Sequence, residues 1–289
     1  MRFFYALRQD LNKTIINIGF LGAAAICAIL CFTSTAYIDD STSKSYSVFE
    51  AIVTLDRELI ESDSSFAWTS LLASGLSGYA AMFLPIIVAF PFMVSFCAER
   101  NSTLMRYTIS RSGKMNYYMS KFTASVISGG LAAMLGVAFY GICLYIIFPD
   151  NSSYEIDPEL LEILNVHSNF ETVVRTLTGV FLFGAFSTLP AFFISSFCTN
   201  PYLITCVPFL LVYIWNTAIN KLIANCWTNE NYEMMEILYD FAPESVMNLS
   251  SKTEFDASAK HTICMFAAFL IVSLVGFSII MNLRKDKGR

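Results

Sequence analysis

The sequence predicts an all-α, polytopic membrane protein. It has six transmembrane helices, an N-terminal amphipathic surface helix and both termini in the cytoplasm. Three observations carry this reading. Of 289 residues, 55% are hydrophobic and 15% aromatic, and the mean hydropathy is +0.56. Only 14% are charged, against about 25% in an average soluble domain. The apolar residues gather in six windows, each near the ~20 residues needed to cross a bilayer core. A soluble enzyme this apolar would leave much of that surface in water, so that class is excluded. The net charge of −5 offers no basic face for nucleic acid, and no nucleic-acid partner is expected.

The first element is the surface helix. Phe4, Leu7, Leu11 and Ile15 recur at i, i+3, i+7 and i+11, while Arg8 and Asn12 fall on another face. A helix so patterned lies flat, its apolar side among the lipid headgroups. The spans follow at about residues 15–37, 75–97, 122–148, 173–198, 201–222 and 262–283. Each is apolar on all sides, as a helix in lipid must be. The first is too long for the apolar core of a secretion signal. Pro85, Pro91, Pro190 and Pro208 interrupt the second, fourth and fifth spans, where prolines bend helices. Ser125, Gly129 and Ala133, and also Ser128, Ala132 and Gly136, are spaced by four. They give the third span faces that admit a close neighbour.

Residues 1–289 are expected to form a single transmembrane domain, with outer loops at about 38–74, 149–172 and 223–260. These loops hold helix-like pieces. Asp157 precedes Pro158 as a cap precedes a first turn, and Phe49, Ile52, Val53, Leu59 and Ile60 space like one helical face. Orientation follows from Lys and Arg. Twelve of the 18 basic residues lie before the first span, in the 98–121 loop or in the tail, beside only three acids, Asp10, Glu99 and Asp286. The other side holds 20 of the 23 acidic residues. The positive-inside rule puts both termini and Lys114 in the cytoplasm, with Asp56, Glu162 and Asp240 outside. The expected location is the cell membrane, as a multi-pass protein.

Little in the chain is equipped for chemistry. Seven of the eight cysteines fall in expected spans (Cys226 is the exception) and none forms a CxxC pair, so neither zinc site nor disulfide framework is indicated. No span carries a central charge of the kind a proton- or sodium-coupled carrier uses. Arg175 and Lys221 sit near outer ends, where they snorkel to water. Gly113-Lys114 lacks the flanking residues of a phosphate loop, with Thr108 and Met115 at the diagnostic positions. Gly75-Leu76-Ser77-Gly78 has the GxSG form of an intramembrane serine protease, with His261 on the same side and His167 the only other histidine.

The most informative stretch runs from Glu99 to Lys121. An acidic residue ends the second span and a helix-compatible run follows. Then come Ile109-Ser110-Arg111, a glycine turn at Gly113, the Tyr117-Tyr118 pair and Lys121 at the mouth of the third span. This layout resembles the loop between spans two and three of type-2 ABC exporter permeases, the ABC-2 membrane family. Phe241-Ala242-Pro243 before the last span is a weaker echo. Ser102-Thr103 and Thr108-Ile109 depart from the glycine and proline common in that family.

The resemblance implies a permease subunit without its ATPase. It would pair with a second permease, the same or related, sit among membrane lipid and be driven by cytoplasmic ABC ATPase subunits. No catalytic residue, cofactor or metal is expected in this chain; ATP and Mg would belong to the partner ATPase. Coupling would fall to Glu99, Leu104, Met105, Arg106, Ile109, Ser110 and Arg111. By span order the pathway would be lined by Tyr79, Met82, Tyr213, Asn216 and Asn220. The substrate would be a hydrophobic or cationic peptide, a lipid or a drug, and the acidic outer segments favour a cationic one. The alternatives are a non-catalytic membrane receptor or assembly component and, third, the intramembrane serine protease.

Overall fold

In hydrocarbon a backbone must satisfy its own polar groups, which favours helix throughout. A computed structural model describes residues 2–39, 44–102, 104–150, 169–229, 231–242, 247 and 255–283. The elements are α1 (Arg2–Ile15), α2 (Ile18–Phe32), β1 (Thr35–Asp39), β2 (Lys44–Ser47), α3 (Val48–Thr54), α4 (Arg57–Ser62), a 3-10 turn (Ser64–Phe66) and α5 (Trp68–Ser74). They continue with α6 (Tyr79–Asn101), α7 (Leu104–Ser112), α8 (Lys114–Ile147), α9 (Asn169–Ser195), α10 (Pro201–Thr228), α11 (Tyr232–Asp240) and α12 (Phe255–Leu283). The Asp157-Pro158 piece, Glu162, His167, Pro243 and the basic tail from 284 lie outside the described residues.

Among the described residues, α6, α8, α9 and α10 are long and apolar enough to cross a membrane. The first helices, bent by 59° between Ile15 and Ile18, qualify together as a fifth candidate, and α12 contributes a shorter apolar stretch, Phe266–Ile280. Six windows of hydropathy thus correspond to four or five qualifying helices. The cause of the first difference is local. Asn17 takes an extended backbone and its side chain accepts the N–H of Gly19, so α1 ends and α2 starts afresh. At 15 residues, α2 is about 22 Å long, shorter than the ~30 Å hydrocarbon core.

The second window also shifts. Its first four residues, 75–78, form a turn, and α6 begins at Tyr79 after Gly78 at φ +61°. Gly75 lies under the Tyr140 ring, whose hydroxyl donates to Leu71 O at 2.9 Å; a Cβ at Gly75 would stand 2.4 Å from that ring. The prolines leave α6, α9 and α10 continuous. One region departs from an all-helical fold. Strands β1 and β2 form an antiparallel hairpin, with Tyr37 opposite Tyr46 and Ile38 opposite Ser45. β-Branched and aromatic residues here meet no helical spacing, and Tyr37 packs on Phe66.

The face expected from Phe49 to Ile60 is divided between α3 and α4. Leu55 and Asp56 are extended, and Ser47 with Glu50 forms a capping box that starts α3. Val48 and Ala51 are the buried residues of α3, while Phe49 and Val53 are exposed. The hairpin end of the bundle is tied across the chain. Trp68 Nε1 and Asn169 Nδ2 both donate to Asp150 Oδ1, at 3.0 and 2.6 Å.

The longest helix, α8, is the centre of the packing. Its small residues meet two neighbours. Gly129 and Ala133 face Gly184 and Thr188 of α9, and Gly136 faces Ala24 and Cys27 of α2. A second cluster, at the other end, is aromatic: Phe92, Phe96, Phe122, Phe192 and Phe277 interlock, with Phe192 and Phe277 centroids 4.2 Å apart. A Cβ on Gly136 would stand 2.6 Å from the Ala24 carbonyl oxygen, a backbone atom that cannot swing aside. Gly136→Ala is therefore expected to lose about 1–3 kcal/mol, read as a lower melting temperature in detergent. Gly22→Ala, with nothing within 4 Å, should melt like the parent or slightly higher.

Candidate functional site at the basic end of the bundle

Three helix ends meet around Lys121. Tyr117, Ser120 and Lys121 are three and four residues apart near the start of α8, so they share a face. Glu99 comes from the last turn of α6 and Asp10 from α1. Lys121 Nζ donates to Asp10 Oδ1 and to Glu99 Oε2, each at 2.7 Å. Tyr117 Oη donates to Glu99 Oε1 at 3.1 Å, and Ser120 Oγ to Asp10 Oδ2 at 3.1 Å. Every carboxylate oxygen in the cluster thus has a donor. Lys13, half-exposed, lies 3.6 Å from Glu99 Oε2. Two acids and two lysines make the group formally neutral.

Burial makes this arrangement consequential. Lys121 is 4%, Glu99 7% and Asp10 9% exposed. A buried charge is tolerated when paired and fully hydrogen-bonded; removing one partner strands the rest. Leu7 and Leu11 of α1 pack on the aromatic cluster beneath, which holds α1 in place for Asp10.

Arg100 faces elsewhere. Adjacent helix residues diverge by about 100°, and this guanidinium donates to the carbonyls of Ser196 and Cys198, each at 3.1 Å. Those carbonyls follow the end of α9, where a cation is favoured by orphan acceptors and by the helix dipole. The end of α6 is therefore fixed on one side to α1 and α8, and on the other to the α9–α10 turn.

Helix α7 is mounted directly on this assembly. Residues 102–103 separate it from α6, and Gly113 alone, at φ +85°, separates it from α8. Ile109-Ser110-Arg111 lies inside α7, so the break before α8 falls at Gly113 and not at the Ser-Arg pair. Among the expected coupling residues, Glu99 and Met105 are buried and Ile109 half-buried. Leu104, Arg106, Ser110 and Arg111 are exposed. The structure thus divides that set into an internal anchor and an outward surface.

The expected pathway residues lie apart from this site. Tyr79 and Tyr213 are 62% and 50% exposed, Met82 and Asn216 are half-buried and Asn220 is exposed. Asn220 Nδ2 donates to Asn216 Oδ1 at 3.1 Å, one turn along the same helix. Phe83 stacks on Phe209 at 5.3 Å, which places α6 beside α10. The serine of the GxSG stretch, Ser77, donates to Ser74 O at 2.7 Å; the side chain of His261 lies outside the described residues. Among the described residues no group of three or more His, Cys, Asp or Glu could hold a metal.

Sequence reasoning singled out Glu99 but missed Asp10, Tyr117, Ser120 and Arg100 as parts of one site, and placed Lys121 only at a span mouth. A signal was present. Asp10 and Glu99 are the only acids among the first 36 residues and in the 98–121 loop, where lysine and arginine otherwise prevail. An acid retained in a basic segment suggests an internal partner. Known protein-family models give no match to this chain, and no curated protein matches it.

The cluster is expected to behave as a unit. Lys121→Met should cost about 3–5 kcal/mol, because Asp10 and Glu99 would be left buried against each other. Adding Asp10→Asn and Glu99→Gln to Lys121→Met should recover much of the loss. Chemical unfolding in detergent measures both. A triple variant no more stable than the single one would show three independent contacts.

Proposed function

We propose that the chain is the membrane permease of an ATP-driven exporter of the ABC-2 type, working with a second permease and with separate cytoplasmic ATPase subunits. The observation that carries this reading is α7: a short exposed helix held between two spans on a buried, charge-neutral cluster. Such a piece moves its spans when a partner pushes it, since little slack separates it from α6 and α8. The resemblance of residues 99–121 to the family's coupling loop points the same way. ATP and Mg are bound by the ATPase partner, and this chain contributes binding surface and pathway.

In this reading the protein is a multi-pass cell-membrane protein with six spans. Both termini, α7 and the Lys121 cluster are cytoplasmic, and α1 lies along the inner surface. The second permease covers the outer face of α10. The Asn216–Asn220 bond leaves the amide donors of Asn216 and the carbonyl of Asn220 with no partner among the described residues. Hydrocarbon penalises such groups, and a facing subunit relieves the penalty. Glu99 and Lys121 serve as positioning residues, while Arg106 and Ser110 meet the ATPase. The substrate class is a hydrophobic or cationic peptide, with lipid or drug as alternatives.

The topology is tested by single cysteines in a background free of native ones. A cysteine at 56 should react with an impermeant reagent in intact cells and one at 114 should not; labelling at 114 overturns the orientation. Coupling is tested by purification. The permease should bring an ATPase with it, and Arg106→Glu should lower substrate-stimulated ATP hydrolysis at least tenfold without lowering the melting temperature. Normal hydrolysis in that variant, or no ATPase in the complex, rejects the exporter reading.

A further inference from the structure

A groove of about 410 Å³ runs between α1 and α7. We propose that it binds the phosphate head of an acidic phospholipid from the adjoining leaflet. The proposal rests on the reading that this end of the bundle meets a membrane, and not on the exporter reading.

Charge is the first argument. Asp10 and Glu99 are consumed internally by Lys121 and Lys13. Arg8, Arg106, Arg111 and Lys114 have no ion-pair partner among the described residues. This end therefore presents cations without their own counter-charge, and Arg111 borders the groove. The anionic leaflet surface attracts such residues and the effect falls off within a Debye length.

Hydrogen bonding is the second argument. Tyr5, Gln9 and Tyr107 also line the groove, and their side chains form no hydrogen bond with other described residues. Two hydroxyls, an amide and a guanidinium supply the donors that phosphate oxygens accept. Composition along the groove selects lipid over a free anion. Ala6 and Leu104 also line the groove, and these apolar side chains suit a glycerol backbone and first methylenes and have no use for inorganic phosphate. Helix α7 joins the end of α6 to the start of α8, so on the membrane reading the groove adjoins the leaflet that those two spans leave.

The test uses the full chain in nanodiscs of phosphatidylcholine containing a minor share of phosphatidylglycerol. The protein is then extracted and washed, and retained lipid is measured by mass spectrometry. Phosphatidylglycerol should be retained above its share. Arg111→Gln should reduce that retention about fivefold, through loss of the one cation that lines the groove. Arg106→Gln, on the face of α7 away from the groove, should leave it unchanged. Should Arg111→Gln melt early, Tyr5→Phe with Gln9→Ala provides the second variant, with retention again reduced. No enrichment, equal loss from Arg106→Gln and Arg111→Gln, or full displacement by inorganic phosphate would each overturn the site. Retention involves neither transport nor ATP, so failure of the exporter reading leaves this result standing, and the reverse holds as well.

Discussion

The fold depends on the contact of Lys121 with Asp10 and Glu99. An ammonium and two carboxylates are expensive to remove from water, and attraction offsets that expense only when geometry and remaining hydrogen bonds are complete. Completion needs Tyr117, Ser120 and Lys13 as well. Residues 111 and 22 positions from Lys121 must therefore arrive in register. Apolar packing alone tolerates sliding of one smooth helix along another. A charge cluster does not, and this one ties α1 and the last turn of α6 to α8.

Neighbouring residues extend that fixity. Glu99 and Arg100 are adjacent, yet one is bound to α1 and α8 and the other to the carbonyls after α9. Two peptide units thus join four helices. The aromatic cluster beneath, with Phe96, Phe192 and Phe277 in mutual contact, provides the apolar floor that keeps water from competing for these bonds. The opposite end is held differently, by single polar ties such as Trp68 to Asp150 and by close glycine contacts along α8. One end is fixed by charge and the other by shape.

Much of this architecture was legible in the sequence, for identifiable reasons. Long apolar windows announce α6, α8, α9 and α10 because hydropathy decides whether a helix enters lipid. The spacing of Gly129, Ala133 and Gly136 announced the close faces of α8. Hydropathy is blind to capping, however. Asn17 starts α2 afresh with one side-chain hydrogen bond, and Gly78 starts α6 late through its backbone. The hairpin at Thr35–Ser47 escaped because its residues are few and sit at the edge of an apolar window. At the site, Glu99 stood out as an acid in a basic loop. Asp10 carries the same signal, but no local pattern links residue 10 to residue 121. Spacing puts Tyr213, Asn216 and Asn220 on one face, while the bond between the two asparagines depends on side-chain rotamers that spacing does not set.

Helix α7 is joined to its neighbours by two residues on one side and a single glycine on the other. Links this short store almost no slack. A force applied along α7 cannot be dissipated by a lengthening tether; it arrives at α6 and α8 as torque, like a crank set between two shafts. Gly113 is the joint of that crank. Its positive φ is open to glycine at little cost, so the break between α7 and α8 falls on a single residue.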